Sequence, residues 1–491
     1  MVLYLQGHDY HFELQNVCRL FLPQERLVIA ESDATQSDGA ALITRLEKQP
    51  TETVLSCRLQ LVDYEETRRA RVDNAHPAYK DECELVLCEL LYDLLSDAFH
   101  TTQDWGIVTG VRPVKLLRRL IAEEGEEKAL AHLRERLFVS EHKLQLSRTT
   151  LKAEDRILGL SRPESFSLYV SVPFCPSRCD YCSFVSQTVT RAAKLIPEYV
   201  EHLAKEIAFT GALAKGLGLR LETVYFGGGT PTTLTAEQLE VLTRAVEASF
   251  DLSTVREYTV EAGRPDTVTD DKLRVLKAAG VSRISINPQT LRDEVLAGIG
   301  RRHTAAQFYE AFESARRCGH HNINTDLIAG LPGDNYDGFC ETVDGILRLA
   351  PESITVHTLS VKRAANLTLQ KRADYRGGDE AVRMVRHTAE QLPQAGYHPY
   401  YLYRQSRTVG NQENVGWAKN GHDGLYNVYI MDETHTILGC GAGAVSKLKQ
   451  PGTEYLERIF NYKFPYEYNN GLAEMLNRKG SVKDFYERIR L

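Results

Sequence analysis

Three cysteines in the segment Phe174–Phe184 restrict this chain more than any other feature of its sequence. Cys175, Cys179 and Cys182 follow the spacing C-x3-C-x2-C. Thiolates this close in sequence can converge on one soft inorganic centre. A structural zinc ion usually has four protein ligands, and an ordinary [4Fe–4S] cluster is held by four cysteines. Position 184 is Phe and the next cysteine is Cys318, so no fourth ligand follows nearby.

Because the triplet supplies three ligands, it has two interpretations. A [4Fe–4S] cluster held by three cysteines leaves one iron open to a small-molecule ligand. A zinc or purely structural site is the alternative, and it needs a fourth ligand from elsewhere in the chain. The spacing favours the cluster.

Bulk properties exclude several classes of protein. The chain has 491 residues and a net charge of −7, which argues against general attraction to nucleic acids or membrane surfaces. It contains no apolar run of about 18 residues, so no membrane span is expected. The N-terminus lacks a basic region followed by an apolar core, and the other cysteines are scattered among apolar neighbours. They are predicted to be reduced thiols in a cytoplasmic protein.

The pattern of helices and strands divides the chain into three predicted domains. Residues 1–160 are expected to form an α+β domain of unknown role, and residues 366–491 a C-terminal α+β domain that covers the substrate. Between them, residues 161–365 alternate strand and helix through six βα units, which implies a parallel sheet with outer helices. Because a complete barrel has eight units, we predict an open, partial (β/α)6 TIM-like barrel. A doubly wound open sheet is the alternative.

The individual elements follow from periodicity and capping signals. The predicted core strands are Leu168–Val172, Leu221–Phe226, Glu257–Glu261, Arg283–Ile286, Asn322–Ile328 and Ile354–Leu359. The predicted core helices are Ile196–Lys215, Ala236–Ser249, Asp271–Ala279, Ala305–Cys318 and Tyr336–Leu349. Two of these helices begin with a capping box, at Thr235 and Thr304.

Shorter patterns predict the elements on either side of the core. The N-terminal strands are expected at Val2–Leu5, Arg26–Ala30 and Thr53–Val62, and the helices at Glu82–Ala98, Val114–Ala122, Lys128–Leu137 and Glu141–Leu158. The C-terminal helices are expected at Glu380–Leu392 and Val482–Arg490, and the strands at Gly396–Arg404, Tyr426–Met431 and Thr436–Leu438.

Polar and glycine residues recur where the predicted core strands end, which is where ligands gather in such folds. Gly227-Gly-Gly-Thr-Pro231 follows the second strand, and its glycines let backbone groups approach a ligand closely. A phosphate loop is the alternative, but neither Gly-Lys-Ser/Thr nor G-x-G-x-x-G is present. Glu261, Gln289 and Asp326 mark later strand ends. Each alone is compatible with a loop cap or an ion pair, but their recurrence favours a site.

Several motifs between Tyr169 and Ser446 form a set. They are Tyr169-x-x-x-Pro-Phe-Cys with the cysteine triplet, Gly-Gly-Gly-Thr-Pro, Arg283-x-Ser285-x-x-x-Gln289, Gly300-Arg301-x-His303, Asp326-Leu-Ile-x-Gly-Leu-Pro and Gly439-x-Gly-Ala-Gly-Ala. This set resembles the oxygen-independent coproporphyrinogen III oxidase group, also called coproporphyrinogen dehydrogenase, among the radical S-adenosylmethionine (SAM) proteins. The chain looks like the HemZ-type branch of that group, which has an extra N-terminal domain.

The resemblance implies the cofactors and their ligands. Cys175, Cys179 and Cys182 would hold a [4Fe–4S] cluster whose open iron binds SAM. Tyr169 would be the catalytic residue beside the cluster and SAM. The residues implied in the SAM site are Gly228, Gly229, Thr230, Glu261, Gln289, Arg301 and Asp326.

The family reaction is implied in the same way. One electron cleaves SAM to methionine and a 5′-deoxyadenosyl radical, which removes a β-hydrogen from a propionate side chain. Loss of CO2 and one electron leaves a vinyl group, and two such events convert coproporphyrinogen III to protoporphyrinogen IX. The expected partners are a tetrapyrrole substrate and a flavodoxin- or ferredoxin-like electron donor, with the chain as a monomer. Cations predicted for the substrate carboxylates are Arg264, Lys362, Arg363 and Arg404.

Three departures from the family pattern bear on the substrate. Ser171 replaces the histidine of His-Ile-Pro-Phe-Cys, Phe184 replaces a fourth cysteine of the biosynthetic enzymes, and Asn411–Trp417 stands where the family has His-Asn-x-x-Tyr-Trp. Related haem chaperones also lack that fourth cysteine. A haem-binding chaperone on the same scaffold is therefore the alternative function. The histidines considered as its haem ligands are His202, His320, His321, His357 and His398.

Overall fold

The described part of the chain divides into two compact units. The computed structural model describes residues 1–30, 40–360, 378–405 and 407–490. One unit comprises Met1–Arg148 with Arg404–Arg407, and the other comprises Thr149–Tyr403 with Thr408–Leu491. The domain boundaries expected near residues 160 and 365 stay predictions. Lys362 and Arg363, two of the cations predicted for the substrate, lie outside the described residues.

The first unit contains a mixed five-stranded sheet in the order β2-β1-β3-β4-β5. Its strands are β1 Val2–Gln6, β2 Val28–Ala30, β3 Ala41–Lys48, β4 Glu52–Gln60 and β5 Glu65–Asp73. The helices up to residue 158 are α1 His11–Phe21, α2 Tyr79–Phe99, α3 Pro113–Glu124, α4 Glu126–Ala131 and α5 Glu141–Leu158. Alternate residues Leu55, Cys57 and Leu59 of β4 are buried in the cluster that contains α2, because successive strand side chains point to opposite faces. The sequence patterns missed α1, β3 and β5.

The second unit contains an 11-stranded sheet. The strands up to residue 358 are β6 Ser165–Val172, β7 Phe174–Cys175, β8 Gln187–Thr188, β9 Arg220–Gly228, β10 Glu257–Glu261, β11 Arg283–Ser285, β12 Ile323–Ala329 and β13 Ser353–Thr358. The helices are α6 Val189–Ala192, α7 Ile196–Gly216, α8 Ala236–Ser249, α9 Asp270–Ala278, α10 Asp293–Gly298, α11 Ala305–Arg317 and α12 Tyr336–Leu349. β7 and β8 form a small parallel pair outside the large sheet.

The six core strands pair in parallel in the order β6-β9-β10-β11-β12-β13, which is also their order in the chain. A doubly wound sheet reverses its strand order at a switch point. Without a reversal, right-handed crossovers place the helices on one face of the sheet, as in a barrel. The partial barrel is confirmed and the doubly wound alternative is wrong. Both predicted capping boxes, at Thr235 and Thr304, are also present.

The later segment of this unit extends the parallel sheet at both edges. Its elements are α13 Gly378–Gln394, β14 His398–Tyr403, β15 Asn414–Ala418, α14 Leu425–Asp432, β16 Thr436–Cys440, β17 Val445–Lys449, β18 Leu456–Phe460, α15 Pro465–Asn470 and α16 Leu472–Arg490. β15 and then β14 follow β13 antiparallel, whereas β16 lies parallel to β6 and is followed by β17 and β18. No helix in the described ranges combines the length and apolar character that crossing a membrane requires.

One predicted strand, Tyr426–Met431, is wrong because this segment forms helix α14. Its aromatic and branched residues favour a strand by propensity. The carboxylate of Glu257, from β10, accepts hydrogen bonds from the Leu425 and Tyr426 amides at 2.9 and 3.1 Å. A negative charge at a helix N-terminus stabilises the helix. The two partners are more than 160 residues apart in the sequence, so a local sequence pattern does not predict this contact.

A buried ion pair joins α7 to the C-terminal helix α16. Glu206 and Lys479 are both inaccessible to solvent, with Nζ and Oε1 2.7 Å apart. The Glu206 carboxylate also accepts hydrogen bonds from the Gly441 amide at 2.7 Å and the Tyr468 hydroxyl at 2.6 Å. Lys479 donates to the Gly439 carbonyl. The pair therefore fixes the glycine-rich turn that follows β16.

That turn is in contact with the end of β6, just before the cysteine loop. The Ser171 hydroxyl donates to the Ala442 carbonyl at 2.7 Å. The Tyr199 hydroxyl donates to the Ser171 carbonyl at 2.9 Å and accepts from the Ala442 amide at 2.8 Å. Ser171, which replaces the family histidine, thus has a structural partner in the C-terminal segment.

The Lys479→Met variant should lower the free energy of unfolding of this unit by about 3–5 kcal/mol, because the Glu206 carboxylate would stay buried without its cation. Urea unfolding followed by fluorescence measures the change. Lys483→Met is the matched control on the same helix, since its side chain is 63% exposed, and we expect a change within about 0.5 kcal/mol. Equal stability of the two variants would contradict a stabilising role for the buried pair.

Candidate functional site

The cysteine triplet follows the carboxyl end of β6 directly in the chain. Cys175 ends β7, and Cys179 and Cys182 lie in the loop that follows. Cys179 is buried, whereas Cys175 and Cys182 are partly exposed. Burial raises the pKa of the Cys182 thiol to about 11, with further upward contributions from Cys179 and Cys175. Protonated thiols of this kind are deprotonated when they bind a metal centre.

The donor set fits an iron–sulfur cluster with one open iron. It consists of soft sulfur ligands only, which is the chemistry that such clusters require. In the parts of the chain that the structure describes, no group of three or more His, Cys, Asp or Glu side chains, the three cysteines of the triplet included, is arranged to hold a metal ion. The fit therefore rests on the donor chemistry of the triplet and on its spacing.

Two arginines place positive charge beside these thiols. The Arg264 guanidinium is buried, donates to Cys179 Sγ at 3.8 Å and to Ser177 Oγ at 3.1 Å, and pairs with Asp266 at 3.1 Å. Nearby cations favour the thiolate form of cysteine. Arg264 was predicted to bind a substrate carboxylate, and that prediction needs correction because its guanidinium is engaged by the cysteine loop and Asp266.

Arg301 is the second of these arginines. It is buried, its Nη1 donates to the Asn287 carbonyl at 2.7 Å, and its Nε donates to the Tyr181 hydroxyl at 3.2 Å. Tyr181 belongs to the cysteine motif, so the guanidinium joins the cysteine loop to the end of the fourth core strand. The adjacent His303 is also buried, and neither of its ring nitrogens has a hydrogen-bond partner. Burial and the two arginines lower the pKa of His303 to about 3.

The glycine triplet allows the end of β9 to approach the cysteine loop. A Cβ atom at Gly229 would lie 2.7 and 2.8 Å from the Phe174 backbone oxygen and nitrogen. The Thr230 amide donates to the Phe174 carbonyl at 2.7 Å, and its hydroxyl donates to Cys175 Sγ at 3.6 Å. The sequence predicts that the glycines of this motif let backbone groups approach a ligand closely. The structure shows that it also permits close approach between two segments of the chain.

Gln289 combines a constrained backbone with an unsatisfied side-chain acceptor. Its φ is +71°, a left-handed conformation that costs about 1–3 kcal/mol in a residue other than glycine. The backbone is held by bonds to the Asp326 carbonyl and the Ile328 amide, both 3.0 Å long. Its Oε1 atom is buried without a hydrogen-bond partner. Such an atom is available to accept from an N–H or O–H group of a ligand.

Glu261 lies beside a row of stacked tyrosines inside the barrel. The Tyr225 hydroxyl donates to Glu261 at 2.5 Å. The Tyr225 ring stacks on Tyr426, with centroids 4.4 Å apart, and on Tyr169, with centroids 6.2 Å apart. Burial raises the pKa of Glu261 to about 7, and the charge of Asp326 adds to the increase. Glu261 is therefore a carboxyl group able to donate or accept a hydrogen bond near neutral pH.

Asp326 is held by two side-chain amides, one from its own strand β12 and one from the segment that follows β11. Its two oxygens accept from Asn287 Nδ2 at 2.8 Å and from Asn324 Nδ2 at 2.7 Å. His357 Nε2 lies 3.7 Å from the carboxylate, and the other ring nitrogen lies 3.3 Å from the Tyr403 hydroxyl. Glu261, Asp326 and His357 thus form a polar inner surface on β10, β12 and β13.

Several other predicted residues interact with parts of the protein outside the candidate site. His320 is bonded to the Leu273 carbonyl at 2.9 Å, and His398 lies 2.7 Å from Asp423, so among the haem-ligand candidates His357 is the one placed in the barrel beside Asp326. Arg404, predicted as a substrate cation, belongs to the first unit, where its guanidinium lies 5.5 Å from the Trp105 ring centre.

The sequence reasoning missed four inward-facing residues of the site. The signal was the period-two alternation of strand side chains, which places residues two apart on the same face. Counting two residues from Asp326 and from the end of β11 would have identified Asn324 and Asn287. The missed residues are Tyr225, Asn287, Asn324 and Tyr426.

Comparison with known proteins identifies a family model and related sequences. The family model of the radical SAM superfamily matches residues 169–346. The oxygen-independent coproporphyrinogen-III oxidase-like protein HemZ of Bacillus subtilis (strain 168) is 39% identical over 387 residues, which are 77% of this chain and 77% of that protein. The haem chaperone HemW of the same organism is 32% identical over 313 residues, 61% of this chain and 77% of that protein.

A solved structure shares the fold. Coproporphyrinogen III oxidase HemN from Escherichia coli, a radical SAM enzyme, superimposes with a TM-score of 0.52 over 66% of this chain and 73% of that chain, at 22% identity. At that identity the likeness concerns the fold alone. It agrees with the partial barrel deduced from the strand order.

The pKa of Glu261 makes the stability of the cofactor-free protein depend on pH. Because its folded pKa of about 7 exceeds the ordinary 4.5, the folded chain keeps a proton that the unfolded chain releases. Stability should fall as pH rises through this window. Glu261→Gln keeps an acceptor for Tyr225 but has no proton to lose. Its free energy of unfolding relative to wild type should therefore be up to roughly 3 kcal/mol higher at a pH above the folded pKa of about 7 than at a pH below 4.5.

Urea unfolding of both proteins across the window measures this difference. Glu247→Gln, on an exposed part of α8, controls for the substitution itself. A Glu261→Gln profile parallel to that of wild type would contradict the raised pKa.

Proposed function

We propose that this chain, which belongs to the oxygen-independent coproporphyrinogen III oxidase-like family of radical SAM proteins, is an oxidoreductase that converts propionate side chains of coproporphyrinogen III to vinyl groups. The product of two such steps is protoporphyrinogen IX. The observation that carries the proposal is a set of three thiols on one short segment, placed beside buried Arg264 and Arg301 at the carboxyl ends of parallel strands.

Radical SAM proteins use a [4Fe–4S] cluster and SAM as cofactors. Cys175, Cys179 and Cys182 would hold the cluster. When bound, the cluster and SAM supply the 5′-deoxyadenosyl radical that removes a hydrogen atom from the substrate. The residues proposed to line the SAM site are Gly228, Gly229, Thr230, Glu261, Gln289, Arg301 and Asp326.

Three of these residues, Gln289, Glu261 and Asp326, have side chains that suit a cationic nucleoside ligand. The free Oε1 of Gln289 accepts a hydrogen bond from an amino or hydroxyl group. Glu261 and Asp326 accept bonds from ribose hydroxyls or ammonium, and Asn287 and Asn324 keep Asp326 oriented before a ligand arrives. Orientation in advance reduces the cost of binding and of reaction.

The tyrosines beside Glu261 would protect the reaction from water. The rings of Tyr169, Tyr225 and Tyr426 form a stacked surface next to the proposed SAM residues. Their packing excludes water from that side of the barrel, which suppresses quenching of a reactive radical. Tyr169 is proposed as the catalytic residue of this set because its hydroxyl lies near Gly228.

The test is an anaerobic reaction of the reconstituted protein with dithionite, SAM and coproporphyrinogen III. We expect 5′-deoxyadenosine and a vinyl-bearing product, formed in proportion. Deoxyadenosine without vinyl product would leave the radical chemistry standing and reject the substrate. The Glu261→Gln variant should lower the turnover more than Glu247→Gln does.

A haem-carrying role is the second candidate. It is favoured by the 32% identity to a haem chaperone, of which the chain covers 77%, and by His357, which lies beside Asp326 within the barrel. Stoichiometric haem binding without vinyl product would support it. His357→Ala should then weaken haem binding, while His321→Ala, at an exposed position, should not.

Replacing any cysteine of the triplet with Ser should abolish cluster binding, because the cluster would lose one of its three protein ligands. Iron and acid-labile sulfide, measured after anaerobic reconstitution, should fall at least about tenfold. Cys318→Ser, the same substitution at a partly exposed cysteine outside the motif, is the control and should keep its iron. Retention of a full cluster by Cys182→Ser would refute the proposed ligand set.

A further inference from the structure

The Arg264 side chain connects a turn after β10 to one cysteine of the triplet. Arg264 is 3% exposed, and it directly precedes the single helical turn Pro265–Thr267. The Thr267 amide and hydroxyl both donate to the Arg264 carbonyl, at 2.9 and 2.7 Å. Pro265 restricts the backbone at the first position of this turn. The backbone of Arg264 is therefore held in place independently of its side chain.

Asp266, within that turn, fixes the orientation of the guanidinium. Nε and Nη2 of Arg264 donate to the two carboxylate oxygens of Asp266 at 3.1 and 3.2 Å. Two parallel bonds of this kind set the plane of a guanidinium as well as its position. The pair uses two of the three guanidinium nitrogens, so Nη1 remains for other partners.

The remaining nitrogen, Nη1, contacts the cysteine loop. It donates to Ser177 Oγ at 3.1 Å and to Cys179 Sγ at 3.8 Å. The Ser177 hydroxyl donates in turn to the Gly300 carbonyl at 3.0 Å. Cys179 is 8% exposed and is the most buried thiol of the triplet, since Cys175 and Cys182 are partly exposed. The buried thiol thus has a positively charged hydrogen-bond donor beside it.

This arrangement has an electrostatic consequence for a cluster bound at the triplet. Local charge and hydrogen bonds to the sulfurs set the reduction potential of an iron–sulfur cluster. A positively charged donor stabilises the reduced form more than the oxidised form, because the reduced form carries one more negative charge. The interaction is stronger where water is excluded and the dielectric is low. Arg264 meets this condition, because both its guanidinium and Cys179 are buried.

We propose that Arg264, oriented by Asp266, is a positioning residue that raises the reduction potential of the cluster through Cys179. The inference rests on the proposed function, because it requires a cluster at the triplet. The reaction that it assists is the transfer of one electron from a one-electron reductant to the oxidised cluster, in which no bond is made or broken. Arg264 thereby increases the fraction of the protein that holds a reduced cluster at a given potential.

A redox titration of the reconstituted full-length protein tests the proposal. The potential is set anaerobically with dithionite and mediator dyes, and the reduced cluster is quantified by electron paramagnetic resonance (EPR). The double variant Arg264→Met/Asp266→Asn keeps the net charge and leaves neither charge of the pair without its partner. At a fixed potential its ratio of reduced to oxidised cluster should be about tenfold lower than that of wild type. For one electron this is a shift of the midpoint potential by about 59 mV to more negative values.

Two further variants separate the contact with Cys179 from other effects. Arg244→Met/Glu240→Gln removes an ion pair from α8, where the side chains are 74% and 45% exposed, and it should keep the wild-type ratio. Arg264→Lys keeps the positive charge and a donor but loses the planar fork. Its ratio should therefore lie between those of the double variant and wild type.

The outcomes distinguish this inference from the proposed function. A wild-type protein that binds no iron, or whose EPR spectrum does not respond to SAM, would reject the proposed function. An unchanged ratio in the double variant, or a ratio in Arg264→Lys no higher than in the double variant, would overturn only the role of Arg264. Loss of iron from the double variant would also overturn it, because Arg264 would then be needed to hold the loop rather than to adjust the potential.

Discussion

Close packing of two glycine-rich segments on the end of β6 determines where the cysteines of this protein lie. Gly229, after β9, meets the backbone of Phe174, and Gly441, after β16, meets Ser171 so closely that a Cβ atom would lie 2.5 Å from its carbonyl oxygen. A larger residue at either position would push the loop away from the strand. The triplet is therefore positioned by the segments that follow the two strands flanking β6, and one of these segments is fixed by the buried pair of Glu206 and Lys479.

Two carboxyl groups in the barrel are kept in different environments, and this difference suits a site for a polar ligand. Asp326 accepts hydrogen bonds from two amide side chains, whereas Glu261 has one phenolic donor and lies among tyrosine rings. Burial therefore raises the pKa of Glu261 to about 7. A buried carboxyl group with a raised pKa is typical of functional sites.

Much of the core was predictable from sequence because its signals are local. Strand β10 and helices α8 and α12 have the predicted bounds, since apolar periodicity and capping residues define them. Tyr426–Met431 was mistaken for a strand because the Glu257 carboxylate that caps the helix is distant in sequence. The motif residues predict a candidate site, but a sequence pattern does not reveal the hydrogen-bond partners of each side chain. Arg264 was expected to face substrate, and only the fold shows it beside Cys179.

Both edges of the parallel sheet are completed by strands from one late stretch of the chain, with β14 and β15 on one side and β16 to β18 on the other. The mouth of the incomplete barrel is thus framed by residues that follow the cofactor motifs in sequence. Insertions or substitutions in this stretch can widen, narrow or recharge the entrance while the radical-generating machinery stays as it is. A change of ligand specificity could then evolve mainly through changes at the entrance to the barrel.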